Sequence, residues 1–74
     1  MNLRQCQDGK DYRILDIKTD DDELNSFLLS LGCYPGQIIS VISVKRSGCI
    51  VSIKDGRYNV DKYLAEAITV EPVE

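Results

Sequence analysis

The chain has 74 residues, a formal net charge of −3 at neutral pH and no histidine. A chain this short buries only about 60% of the surface its unfolded form exposes, enough for one core but not for an enclosed substrate chamber, which weighs against an enzyme. The acidic balance gives no general attraction to nucleic acid or anionic lipid, and no apolar run approaches the roughly 20 residues that would cross a bilayer.

Residues 1–74 are therefore expected to make one domain. Met1-Asn2-Leu3-Arg4-Gln5 lacks the apolar core of a signal peptide, so a cytoplasmic location is expected. Three cysteines, Cys6, Cys33 and Cys49, cannot all pair with one another and read as reduced, buried thiols. Charge is uneven along the chain. Residues 1–23 carry four basic and seven acidic side chains, whereas residues 45–62 carry five basic and two acidic ones, so an acidic front and a basic hairpin are expected on the surface.

After a turn at Asp8-Gly9, the β-rich run Tyr12 to Ile17 predicts a strand with Tyr12 and Ile14 on one face and Leu15 and Ile17 on the other. From Asp20 the period changes. Leu24, Phe27, Leu28 and Leu31 recur at helical spacing and predict one docked face, with Thr19 or Asp20 as cap, an Asp20/Glu23 capping box and Gly32 as the stop. Burial of those four side chains would contribute about 6 to 12 kcal/mol, less than the cost of ordering the segment, so the helix needs a sheet to rest on.

Cys33-Tyr34-Pro35-Gly36 supplies a turn, because Pro presets φ and Gly accepts a positive φ after it. The strand Gln37 to Lys45 then places Ile38, Ile42 and Val44 on one face with Ser40, and Ile39 and Val41 on the other. Arg46-Ser47-Gly48 turns the chain into Cys49 to Lys54, and Asp55-Gly56 reads as the two-residue turn into Arg57 to Val60. Asp61 is suited to cap a short helical turn from Lys62 to Ala67. Ile68-Thr69-Val70 is a closing strand expected to pair near the N-terminus. This order describes a mainly β fold with a docked helix: a small, partly open SH3-like barrel.

Without histidine the usual general base and the commonest metal-binding side chain are missing, and the six serines have no partner to activate them. Cys49, three residues after Arg46, is read as the cysteine with a sequence hint of a local positive field. No Cys-x-x-Cys pair marks a zinc site, and the Asp20-Asp21-Asp22-Glu23 run points its carboxylates about 100° apart, so no cofactor, metal ligand or catalytic residue is assigned. Contact chemistry falls to Tyr12, Tyr34, Tyr58 and Tyr63. Tyr34 leads, on a rigid turn with Pro35, followed by Leu29, which lies off the main apolar face, and by Tyr63.

Leu3, Gly9, Ile14, the helix ending Leu28-Leu29-Ser30-Leu31-Gly32, then Pro35-Gly36 and Ile39, and the ending Gly56 through Ala67-Ile68-Thr69-Val70, resemble the ferrous iron transport protein A family, FeoA. The resemblance covers nearly the whole chain. It implies an SH3-like barrel without enzyme activity that serves ferrous iron uptake by binding the cytosolic part of a FeoB-like membrane GTPase and permease; by residue type and position, Leu29, Tyr34, Pro35 and Tyr63 are the expected contact residues. Two other readings stand beside it. One is a metal-responsive regulatory domain making weak contact with Fe²⁺ through carboxylates or Cys33, and the other is a general protein-binding adaptor.

Overall fold

Alternating burial bends five strands around one core in the computed structural model, which describes residues 1–73. Strands β1 (Lys10–Ile17), β2 (Ile38–Lys45), β3 (Gly48–Ile53), β4 (Gly56–Asp61) and β5 (Ile68–Pro72) form an antiparallel sheet in the order β4-β3-β2-β1-β5. The edge strands β4 and β5 are joined by helix α2 (Lys62–Ala67), so the barrel stays open along that seam. Asp61 caps α2 as expected, its carboxylate accepting from the Leu64 N–H at 2.8 Å. The closing strand also meets the chain start, through the Val70 N–H to the Met1 carbonyl at 2.8 Å and a bridge between Asn2 and Thr69. Just past that bridge, a 3₁₀ turn (Leu3–Gln5) drives the fully buried Leu3 into the core against α2, β2, β3 and β5.

Two β-bulges change the expected faces. In β1 the register against β5 shifts between Ile14 and Asp16, which leaves Leu15 as the extra, exposed residue and turns Ile17 back onto the core. In β2 the shift between Val41 and Ser43 makes Ile42 the extra residue, so Val44 joins Ile39 and Val41 at the core instead of sharing the outer face with Ile38. The Val44 N–H is taken up by the Asp8 carboxylate at 2.8 Å. The β3–β4 hairpin also moves by one residue. Ile53 pairs with Gly56, so the loop is Lys54-Asp55 rather than Asp55-Gly56, and Lys54 takes φ 55°, the positive value a type II′ turn needs at its first central position. Gly48 cannot be replaced, because a Cβ at its φ of 152° would overlap the Val60 carbonyl oxygen across the ladder.

Helix α1 (Asp22–Leu31) lies over the open seam and docks more narrowly than its spacing predicts. Its cap is Asp21, not Thr19 or Asp20, with the carboxylate accepting from the Glu23 and Leu24 N–H groups at 3.0 and 3.1 Å. The Asp20/Glu23 box does not form. Leu28 is buried (3% exposed) and Leu24 packs against the core, but Phe27 is 56% exposed. Phe27 and Leu31 border an apolar crevice of about 220 Å³ between α1, β4 and α2 instead of filling it. Leu28 is thus the main anchor of the helix. Leu28→Ala should cost about 2 to 5 kcal/mol in urea unfolding, whereas Phe27→Ala should cost less than about 1 kcal/mol; equal losses would contradict the observed face.

Candidate partner-binding surface

The C-terminus of α1 builds the surface. Gly32 closes the helix, and the Cys33 N–H donates to the Leu28 carbonyl at 2.9 Å, which turns the Cys33 side chain into the core. Tyr34-Pro35-Gly36-Gln37 then forms a β-turn sealed by the Gln37 N–H to the Tyr34 carbonyl at 3.1 Å, with Pro35 and Gly36 (φ 94°) in the two central positions of a type II turn. The far side of this turn is fastened to β1: the Gly36 N–H donates to the Ile14 carbonyl at 2.7 Å, and the Ile14 N–H donates to the Gln37 carbonyl at 2.9 Å.

Leu29, Tyr34 and Pro35 come together here, around a depression of about 240 Å³ completed by Asp16, Ile17, Asn25 and Cys33. Leu29 is 62% exposed and Pro35 is exposed, while the half-buried Tyr34 ring is approached by the Lys54 ammonium at 5.7 Å from its centroid. The aliphatic stem of Lys54 passes over Gly32, where a Cβ would come within 3.1 Å of Cε. Nothing in the sequence around Lys54 marks it for this surface, since only the folded hairpin brings it beside the helix end. Asp16 and Asn25 were missed for the same reason.

Tyr63 does not join this group. It is 73% exposed on α2 and borders a different depression with Lys18, Asp20 and Leu24. The other two tyrosines serve the core. Tyr12 is buried with its hydroxyl accepting from the Gln7 N–H at 2.8 Å, and Tyr58 packs on the core from β4.

The cysteines are not arranged for chemistry. Burial pushes the Cys33 thiol up to about 11, and burial, reinforced by the neighbouring Cys49, does the same to Cys6. For Cys49, burial also raises the thiol pKa, and the cation that opposes the shift is Arg4 rather than the expected Arg46. Among the described residues, no three His, Cys, Asp or Glu side chains gather as a metal-ligand group, and no helix is long and apolar enough to cross a membrane.

The fold defines a class: small SH3-like barrels with a helix laid over the open seam. The family model of the FeoA domain matches residues 1–72, and the chain belongs to that family, whose members are non-enzymatic accessory proteins associated with ferrous iron transport. It is similar to the crystal structure of an iron uptake regulatory protein, FeoA, at 24% identity and TM-score 0.86, covering 99% of this chain and 97% of that one. It is also similar to iron(II) transport protein A from Clostridium thermocellum, at 25% identity and TM-score 0.85, covering 99% of this chain and 46% of that one. A manganese-dependent transcriptional repressor in complex with manganese shares the fold at 20% identity and TM-score 0.86; the chain covers 36% of that protein. No curated protein sequence matches the chain.

The raised thiols make a pH prediction. With folded values near 11 for Cys6 and Cys33 against 9.0 when unshifted, both states keep the proton below pH 9. Between those values the unfolded chain releases the proton and the folded chain does not, so stability falls as pH rises through that window. Urea midpoints taken across it should decline for the wild type and decline less steeply for Cys33→Ala; parallel slopes would show that Cys33 does not contribute.

Proposed function

We propose that this protein is a cytosolic accessory subunit of ferrous iron uptake that docks on the cytosolic part of a FeoB-like GTPase and permease through Leu29, Tyr34 and Pro35. The observation that carries the proposal is the convergence of these three residues on one rigid rim, in a chain whose family is associated with ferrous iron transport. An aliphatic side chain, an aromatic ring and a proline, already fixed by backbone hydrogen bonds, lose little conformational entropy on binding, which is what an interface anchor requires. The depression beside them suits one apolar side chain of the partner, with Asp16 and Asn25 at its margin to set orientation. The neighbouring α1 surface carries Asp22 and Glu23, so the complementary partner surface is basic around an apolar anchor.

Metal binding plays no part in this reading. Cys33, the soft ligand a sensor would use, is buried and holds its proton, and its carboxylate neighbours do not form a ligand group with it among the described residues.

Co-purification from detergent-solubilised membranes with a FeoB-like transporter tests the proposal. Wild-type protein should be retained, and Tyr34→Ala and Leu29→Ala should each weaken retention by about tenfold, Leu29→Ala with the wild-type unfolding midpoint and Tyr34→Ala with a lowered midpoint but a still cooperative unfolding transition. Tyr63→Ala should leave retention unchanged. If the wild type is not retained, or if the Tyr34 and Leu29 variants bind as the wild type does, the proposed surface is wrong.

A further inference from the structure

The charge asymmetry of the sequence becomes a defined corner in the fold, separate from the Leu29–Tyr34–Pro35 rim. Lys45 ends β2, Arg46 lies in the β2–β3 turn and Lys62 opens α2; with Ser47, Asp61 and Tyr63 they surround a depression of about 610 Å³, in which three cations outnumber the one carboxylate. The two elements that carry these cations are tied together. The Lys62 N–H donates to the Ser47 carbonyl at 2.9 Å, and the Arg4 guanidinium reaches both Glu66 of α2 at 2.6 Å and the Arg46 carbonyl at 3.5 Å.

The nearby acids are already engaged. Asp61 accepts the Leu64 N–H as the cap of α2, and Glu66 pairs with Arg4. Among the described residues, Lys45, Arg46 and Lys62 make no ion pair and no side-chain hydrogen bond, so their charge faces outward. Lys62 holds its ammonium 5.2 Å from the centroid of the Tyr63 ring, which itself stands 73% exposed. On the far side of that ring are Lys18 and Asp20, where the acidic start of α1 begins and the basic surface ends.

We propose that this corner docks on the anionic headgroups of a lipid bilayer. Three cations on long flexible stems, none tied down by an ion pair or a side-chain hydrogen bond, suit a plane of many equivalent phosphates, in which no side chain needs one particular partner. An acidic peptide would favour donors already fixed to match its carboxylates. The Tyr63 ring adds the amphipathic element that settles at the headgroup level, apolar in its body and polar at its tip. The overall charge of −3 does not oppose this contact. Screening confines each charge to about 8 to 10 Å at ordinary salt, so the membrane meets the local cations, and the acidic start of α1 acts to orient the molecule with the corner toward the lipid. With no acyl chain and no inserted helix in this patch, the binding is weak, reversible and salt-sensitive.

The test is flotation of the purified chain with phosphatidylcholine vesicles prepared with and without phosphatidylserine, at low and at high salt. The wild type should float with the phosphatidylserine vesicles at low salt, remain behind with pure phosphatidylcholine, and be released by high salt. Lys45→Gln should weaken binding roughly fivefold, as expected for loss of one surface cation, and the triple variant Lys45→Glu, Arg46→Glu, Lys62→Glu should abolish it with the circular dichroism of the wild type preserved. Tyr63→Ala should weaken binding while keeping its salt dependence. Absence of flotation at low salt, equal binding to both vesicles, undiminished binding by Lys45→Gln, or binding to polyglutamate alone would each overturn the proposal, the last in favour of an acidic protein partner. No transporter is present in this assay, so its outcome is independent of the docking reading above.

Discussion

Both backbone polar groups of Ile14 are committed to the turn that follows the helix. Its carbonyl accepts from Gly36 and its N–H donates to Gln37, while its side chain is fully buried in the core. A buried peptide group that loses such a partner costs about 1 to 3 kcal/mol, so these two bonds hold the turn as firmly as sheet bonds hold a strand. In effect they extend the β1–β2 ladder beyond its last strand pair, Arg13 with Ile38. Immediately afterwards the bulge at Leu15 turns β1 toward β5. Tyr34 and Pro35 therefore belong mechanically to the sheet, although in sequence they are the end of a helix.

The helix itself is held more lightly. Four side chains at helical spacing would contribute about 6 to 12 kcal/mol if all were buried, whereas full burial of Leu28 alone contributes about 1.5 to 3 kcal/mol, with a smaller share from Leu24. The remaining support comes from its ends. Asp21 caps the start, Cys33 anchors the exit in the core, and Lys54 crosses Gly32 to reach the Tyr34 ring. That last contact joins the β3–β4 hairpin to the helix exit, so the two sides of the candidate surface are set by different strands of the same sheet. A rim braced in this way can stay rigid even though an apolar crevice remains open beneath the helix.

What could be read from the sequence follows from how local each signal is. Pro35-Gly36 defines its own turn type, Asp61 caps its own helix, and Leu29 is off the apolar face by spacing alone, so these positions were legible. The resemblance carried by Leu31-Gly32 and Pro35-Gly36 pointed to the family for the same reason, since those residues build the helix exit. The bulges at Leu15 and Ile42 were not legible. A bulge is a relation between two strands, and each one inverts the alternation that a single strand displays. Phe27 misled in a similar way: its spacing matches a core face, but whether that face meets a surface depends on where the open seam lies. Tyr63 was grouped with Tyr34 because both are aromatic and suited to exposure, and only the fold separates them.

A domain of this size has little surface to divide. Its accessible area is 4737 Å², and one ordinary protein interface takes about 800 Å² per partner, so a second contact must use residues that the first leaves uncovered. The aromatic rim and the basic corner meet that condition, since the residues bordering the two depressions have no member in common. They also differ in what holds them. The rim is fixed by backbone hydrogen bonds and would bind through shape, while the corner carries exposed cations and would bind through charge. Side chains that share no partner contribute nearly additively, so a change at either patch should leave the other intact. That separation follows from the open barrel, in which the exit of α1 carries the rim onto β1, while the β2–β3 turn and the start of α2 together carry the cations.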